Sequence, residues 1–116
     1  MLLKRGAVRR ALAVTLLSLA SLSAMAAPQT FAGVITDSEC DAGRHSHMQM
    51  GNTDAECTKA CIDAHGARYV LWDGSRAYEL TDQRTPRQFA GQKVTVLGTL
   101  ESNGSKIQVD SVTARE

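Results

Sequence analysis

Side chains that bind soft and borderline metals are concentrated in one part of this 116-residue chain. Beyond position 26, every cysteine, histidine and methionine falls between positions 40 and 65: Cys40, His45, His47, Met48, Met50, Cys57, Cys61 and His65. Thiolates and thioethers suit Cu(I), whereas imidazoles suit copper, zinc and nickel. The pattern predicts a transition-metal site for which all eight residues are candidate ligands.

Two of the cysteines fall on a predicted helix. Residues 53–56, TDAE, form a capping box, and Gly66 is placed to end the helix in a left-handed conformation. Cys57, Cys61 and His65 follow at i, i+4 spacing, so they are expected to project from roughly one face. The long loop before the helix can fold back and offer the other five ligands.

The three cysteines also allow an interpretation without metal. A helix packs on a core through residues at i, i+3, i+4 and i+7, which here are Cys57, Ala60, Cys61 and Ala64. Outside the cytoplasm thiols tend to pair, and a Cys40 disulfide to Cys57 or Cys61 would stabilise a small domain by roughly 3 kcal/mol. A Cys57–Cys61 bridge within a regular helix is disfavoured. The first alternative is therefore a non-catalytic binding or structural module with a Cys40 disulfide and no metal.

Enzymatic functions find less support in the sequence. A thiol-disulfide redox protein, in which Cys57 and Cys61 exchange with Cys40, is the second alternative, but the C-x-x-C motif of such enzymes is absent. The sequence contains no nucleophile elbow, H-E-x-x-H motif or phosphate-binding glycine loop. The carboxylates near Cys40 are expected to be solvated, as loop acids usually are: Asp37, Glu39 and Asp41. We therefore expect no enzymatic activity.

The first 26 residues are typical of a secretory signal peptide. Four basic residues precede position 11, an uncharged apolar run follows, and Ala24-Met25-Ala26 supplies small residues for cleavage. The apolar run is about a dozen residues, short of the roughly 20 that a permanent transmembrane helix needs. We expect cleavage near Ala26, a periplasmic or secreted protein without a stable membrane anchor, and one domain over residues 27–116.

The charge balance argues against nucleic acid and anionic membranes as partners. The chain has 13 basic and 12 acidic residues, and the predicted signal contains four of the basic residues and no acidic one. The rest carries nine basic and 12 acidic residues, a net charge of −3. Nucleic acids and anionic membranes select clustered Lys and Arg. The metal ion is the expected partner.

Turn signals and periodicity predict five short strands and one helix. The predicted strands are residues 29–36, 67–72, 76–81, 92–100 and 106–113, with a short helical turn at 86–90. Asp73-Gly74 and Asn103-Gly104 supply the turns of two hairpins. The last hairpin should point four side chains inward: Val94, Val96, Ile107 and Val109. Because a closed barrel leaves no strand edge unpaired, we expect a mostly β fold, a small five-stranded OB-like barrel with one inserted α-helix.

Three short motifs resemble an exported bacterial family classified as a domain of unknown function. They are DSEC at 37–40, CTKAC at 57–61 and GARYV at 66–70. In the family, D-S-x-C, a downstream His, C-T-x-x-C and G-A-[KR]-Y-V recur in this order before an OB-like C-terminal half. This chain departs in having Asp41 where Gly is common and in carrying His65. The resemblance implies export and an OB-like fold, and it implies no activity.

The donor set leaves the metal open between copper and zinc. A Cys3His or Cys2His2 set would hold Zn(II) tetrahedrally, whereas two or three thiolates with Met or His favour Cu(I). The C-x2-C spacing of zinc ribbons is absent. The chain also loosely resembles periplasmic copper and silver carriers, small OB barrels that use His and Met ligands beside a Trp, through Trp72. We therefore place Cu(I) ahead of Zn(II).

Overall fold

The computed structural model describes residues 26–40 and 52–116, which form five strands, one α-helix and one 3-10 helix. In chain order the elements are β1 (Gln29–Asp37), α1 (Asp54–His65), β2 (Tyr69–Trp72), β3 (Ala77–Leu80), the 3-10 helix (Thr85–Phe89), β4 (Lys93–Leu100) and β5 (Lys106–Ala114). All seven elements predicted from the sequence are present, with bounds that differ by a few residues. The predicted signal peptide, except Ala26, lies outside the described residues. No helix in the described ranges is long and apolar enough to cross a membrane.

The five strands close into one barrel. The strand order is β1-β2-β3-β5-β4, and β4 pairs with β1 to complete the ring. The β3–β5 pair is parallel, and the other four pairs are antiparallel. Closure gives every strand in the described residues two neighbours, so the ring has no terminal strand. The predicted mostly β fold, a small OB-like barrel with one inserted helix, is confirmed.

The barrel core is built from alternating side chains. Val94, Val96 and Ile107 are fully buried, as their alternation predicts. Val109 is only half-buried, because the β4–β5 register shifts at Gly98 and interrupts the alternation beside it. Beyond the shift, Val112 points inward instead. This register shift therefore explains why Val109, one of the four side chains predicted to point inward, is only half-buried.

The caps of α1 form where the sequence predicts them, although Glu56 accepts from the N–H of Asn52 rather than from that of Thr53. The Thr53 side-chain oxygen accepts a hydrogen bond from the Glu56 N–H at 3.1 Å, and Glu56 Oε2 accepts one from the Asn52 N–H at 2.7 Å. Gly66 ends the helix with φ of 63°, in the left-handed region that glycine adopts most easily. Both ends of the helix are thereby fixed, which sets its position along the chain.

The buried face of α1 differs from the predicted stripe. Cys57, Thr58 and Cys61 are buried, whereas Ala60 is half-buried and Ala64 is exposed. Burying larger side chains releases more apolar surface from water than burying a methyl group does. The helix is therefore rotated toward Thr58, and the thiols remain on the face that contacts the barrel.

Gly91 lies where the barrel meets the start of α1. Its φ is 76°, and a Cβ built on it would lie 2.9 Å from the backbone nitrogen of Ala55. Gly74 also has a positive φ, 104°, but no heavy atom of the described residues lies within 4 Å of the same position. We expect Gly91→Ala to lower the free energy of unfolding by about 2–4 kcal/mol and Gly74→Ala by about 1 kcal/mol. Urea denaturation measures both, and equal losses would contradict the close packing at Gly91.

Candidate metal centre

A hydrogen-bonded turn after β1 fixes the first cysteine. Asp37 Oδ1 accepts hydrogen bonds from the backbone N–H groups of Glu39 and Cys40, each at 3.0 Å. The Thr36 hydroxyl donates to the Cys40 carbonyl at 3.0 Å. Short polar side chains that bond to the backbone two or three residues on are typical of such turns. The turn holds Cys40 in a buried position at the end of the barrel.

Helix α1 supplies the other two cysteines. Cys57 and Cys61 lie one helical turn apart on its buried face, and both are almost completely inaccessible to solvent. They form a small apolar cluster with Ala67, and the half-buried Ile62 packs against it. The cysteines of α1 and the cysteine of the turn after β1 therefore lie close to one another.

Cys40, Cys57 and Cys61 form one group, which we call the thiol group. Their three Sγ atoms all lie within 4.8 Å of one another. A metal ion bonded to three thiolates at ~2.3 Å would hold the sulfur atoms about 4 Å apart. Movements of less than about 1 Å would therefore bring the three sulfurs into one coordination sphere. The thiol group could hold a metal ion.

None of the three cysteines is in a disulfide in the structure. A disulfide requires an S–S distance of about 2.05 Å. The Cys57–Cys61 pair is not a disulfide, in line with the geometric argument from the helix. A bridge from Cys40 to either helix cysteine stays a prediction for the oxidised protein.

Asp37 corrects the expectation that the carboxylates near Cys40 are solvated. Its side chain is fully buried, and within residues 26–40 and 52–116 no hydrogen-bond donor reaches its second oxygen, Oδ2. Glu39 is exposed as expected, and Asp41 lies outside the described residues. The D-S-x-C spacing was a usable signal, because an Asp three residues before Cys can close a turn over it and be carried inside.

Burial and charge both raise the pKa of two of the three thiols, Cys40 and Cys61. Burial raises the pKa of the Cys61 thiol to about 12, and the nearby Asp37 carboxylate and the other two thiols add to the rise. Burial and then the charge of Asp37 also raise the pKa of Cys40. A metal ion binds the thiolate, so it must displace these protons, and its apparent affinity should increase with pH.

His65 is exposed at the end of α1 and is not part of the thiol group. Each i, i+4 step advances about 40° around a helix, so two steps from Cys57 carry the side chain some 80° toward solvent. His65 therefore does not share the buried face of Cys57 and Cys61, and its role as a metal ligand stays a prediction.

The remaining predicted ligands lie outside the described residues, so they stay predictions: His45, His47, Met48 and Met50. Trp72, on which the analogy with copper and silver carriers depends, is half-buried at the end of β2. In the β1–β2 ladder it pairs with Val34, whereas Asp37 pairs with Tyr69 at the other end of β2. The thiol group therefore lies near the Tyr69 end of β2 rather than near the Trp72 end.

The thiol group should react slowly with alkylating agents. With a pKa of about 12 for Cys61, little thiolate is available near neutral pH, and the side chain is buried. We expect iodoacetamide at about pH 7.5 to label Cys61 at least ~100-fold more slowly in the native protein than in the same protein denatured in guanidinium chloride. Mass spectrometry of peptides after timed quenching measures this, and rates within tenfold of each other would contradict the burial.

The comparisons with known proteins return no match: no family model, no curated protein and no solved structure is similar to the chain. The resemblance to an exported family therefore stays a prediction. What the protein does has to be argued from the thiol group and its surroundings.

Proposed function

We propose that the protein is a non-catalytic binding protein for one soft or borderline transition-metal ion, held by the thiolates of Cys40, Cys57 and Cys61. The observation that supports this proposal is the convergence of three buried Sγ atoms within 4.8 Å from two separate elements. Thiolates are the ligands that select Cu(I) and Zn(II) from the common biological metals. The turn after β1 and the capped helix arrange them in advance of binding.

Within this proposal, Cu(I) ranks ahead of Zn(II). Cu(I) accepts three thiolates without further ligands, so the thiol group alone can complete its coordination. Zn(II) in proteins is almost always four-coordinate, so it needs a ligand beyond the three thiolates. The predicted ligands His45, His47, Met48 and Met50 are candidates for such an additional ligand, and alanine variants of each test them.

A purely structural thiol group is the main competing interpretation. Cysteine is among the residues most often buried, and it packs as a small apolar side chain. The buried Asp37 carboxylate argues against this interpretation, because two hydrogen bonds reach its Oδ1 but none from the described residues reaches Oδ2, and burying an uncompensated polar or charged atom is costly. Asp37 therefore favours a site that accepts a cation.

A thiol-disulfide enzyme is the weaker alternative. Such enzymes use an accessible cysteine whose lowered pKa makes it a good nucleophile at neutral pH. Cys40 and Cys61 have the opposite properties, because both are buried and the pKa of each is raised. These properties suit metal ligands that are deprotonated only when the metal arrives.

The proposal is tested by titrating the reduced protein, without oxygen, with Cu(I) and separately with Zn(II) against a chromophoric competitor. We expect one equivalent of metal to bind and protons to be released as the thiols become thiolates. The intact mass of protein purified without reductant reports the disulfide alternative. A Cys40 disulfide in that preparation, with no binding of either metal after reduction, would overturn the proposal.

A further inference from the structure

Asp37 combines three properties that a structural turn residue does not need together. Its side chain is completely buried, one carboxylate oxygen holds the turn to Cys40, and Oδ2 is without a hydrogen-bond donor in the described part of the chain. A buried polar atom without a partner costs on the order of 1–3 kcal/mol, and more when it is charged. Asparagine or serine would form the same turn at lower cost. We therefore expect Oδ2 of Asp37 to have a function other than closing the turn.

Asp37 is adjacent to the thiol group, because its Oδ1 accepts a hydrogen bond from the backbone N–H of Cys40 at 3.0 Å. The charge of Asp37 acts on both Cys40 and Cys61, one from the turn and one from α1. The cluster of mutually close ligand atoms nevertheless contains only the three thiols. Asp37 is thus near enough to act on the site electrostatically but lies outside the set of direct ligands. In metal sites this is the place of a carboxylate that binds a ligand of the metal.

We propose that Asp37 is a specificity residue of the metal site, whose Oδ2 accepts a hydrogen bond from a water molecule that is the fourth ligand of a divalent ion. This inference rests on the proposed function. Three thiolates and one water make the four ligands that Zn(II) takes in sites with an open position. The water donates the hydrogen bond for which Oδ2 has no other donor among the described residues.

The same carboxylate distinguishes between the two candidate metals. A Cu(I) ion with three thiolates has no water ligand to donate to Oδ2, and its single charge is attracted less by the carboxylate than a double charge is. Asp37 therefore moves the preference of the thiol group toward Zn(II), against the preference of thiolates for Cu(I). Its role is one of positioning and charge, and it forms no bond to the metal.

The test replaces Asp37 with asparagine in the full mature protein. The asparagine oxygen can still accept both backbone hydrogen bonds of the turn, whereas its amide presents a donor and no charge at the position of Oδ2. We expect the affinity for Zn(II) to fall roughly 10- to 100-fold, and the affinity for Cu(I) to change by less than about threefold.

Asp73→Asn is the matched control. Asp73 Oδ1 also accepts backbone hydrogen bonds, from Ser75 at 2.8 Å and Arg76 at 2.7 Å, in the exposed β2–β3 turn. This variant should bind both metals as the unmodified protein does. Equal losses of Zn(II) and Cu(I) affinity in Asp37→Asn would show a structural role and overturn the inference, as would unchanged Zn(II) affinity. Failure of the unmodified protein to bind either metal would instead overturn the proposed function.

A second measurement needs no variant and applies even if Asp37→Asn does not fold. Co(II) in place of Zn(II) gives a visible spectrum that reports the number and type of its ligands. We expect the Co(II) protein to show a four-coordinate spectrum that shifts when azide is added, because azide displaces the water. A spectrum unchanged by azide would show a fourth ligand from the protein and overturn the inference.

Discussion

Replacing Cys61 with serine is expected to lower the affinity for both Cu(I) and Zn(II) by roughly 100- to 1,000-fold. A complete set of four protein ligands binds Zn(II) with an apparent ~10–16 kcal/mol, so one ligand contributes roughly 2.5–4 kcal/mol. A serine hydroxyl is a hard ligand that does not deprotonate near neutral pH, so it does not replace the thiolate. Cys61 is the least accessible of the three cysteines, so there is little space for a water molecule to replace the lost thiolate as a ligand.

Ala64→Ser is the control for this variant. Position 64 lies one turn further along α1 and is exposed, so the same hydroxyl enters the same helix without reaching the thiol group. Competition titrations of both variants, after circular dichroism shows equal helix content, measure the effect. A Cys61→Ser protein that binds both metals within tenfold of the unmodified protein would remove Cys61 from the site and leave the proposal without its central ligand.

The fold was largely predictable because its signals are local. The capping box before α1, Gly66 after it and the Asp-Gly turn each specify a conformation within four or five residues. Closure of the barrel follows from the strand count and the need to pair every edge. The half-burial of Val109 could not be predicted, because the β4–β5 register shift depends on two strands rather than on one.

The site was predictable only in part, for a different reason. The concentration of cysteines indicated the region in which the thiol group forms, and the helix spacing predicted that Cys57 and Cys61 lie close together. The buried face of α1 depends on how the helix rotates against the barrel, so the sequence did not show that His65 would be exposed or that Thr58 would be buried. Asp37 was missed because acids in loops are usually solvated.

The metal-free protein is expected to lose stability in alkaline solution. The Cys61 thiol ionises near pH 9 in the unfolded chain but at about pH 12 in the folded protein. Below pH 9 both states keep the proton, so stability is unaffected. Between these values only the unfolded state loses the proton, so stability falls as pH rises, by about 1.4 kcal/mol per pH unit from this group. Cys40 contributes in the same direction.

The Cys61→Ala variant isolates this contribution. Urea denaturation with reductant and chelator, from about pH 8 to 10.5, should show the unmodified protein losing roughly 2 kcal/mol more than the variant. Parallel losses in the two proteins would contradict the raised pKa of Cys61. The variant retains Tyr69, whose pKa is also raised by burial, so that effect cancels in the comparison.

Metal binding should give the protein a different pH dependence, with stability that increases with pH below about pH 9. In the metal-bound protein the thiols are already deprotonated, so below about pH 9 the unfolded chain binds more protons than the folded state, and stability increases with pH. In the same denaturation series with one equivalent of Zn(II) in place of chelator, the free energy of unfolding should therefore increase with pH up to about pH 9. Over the same range the free energy of unfolding of the metal-free protein should stay constant. Because this increase requires thiolates bound to the metal in the folded state, a purely structural thiol group would give the same dependence of stability on pH with and without the metal.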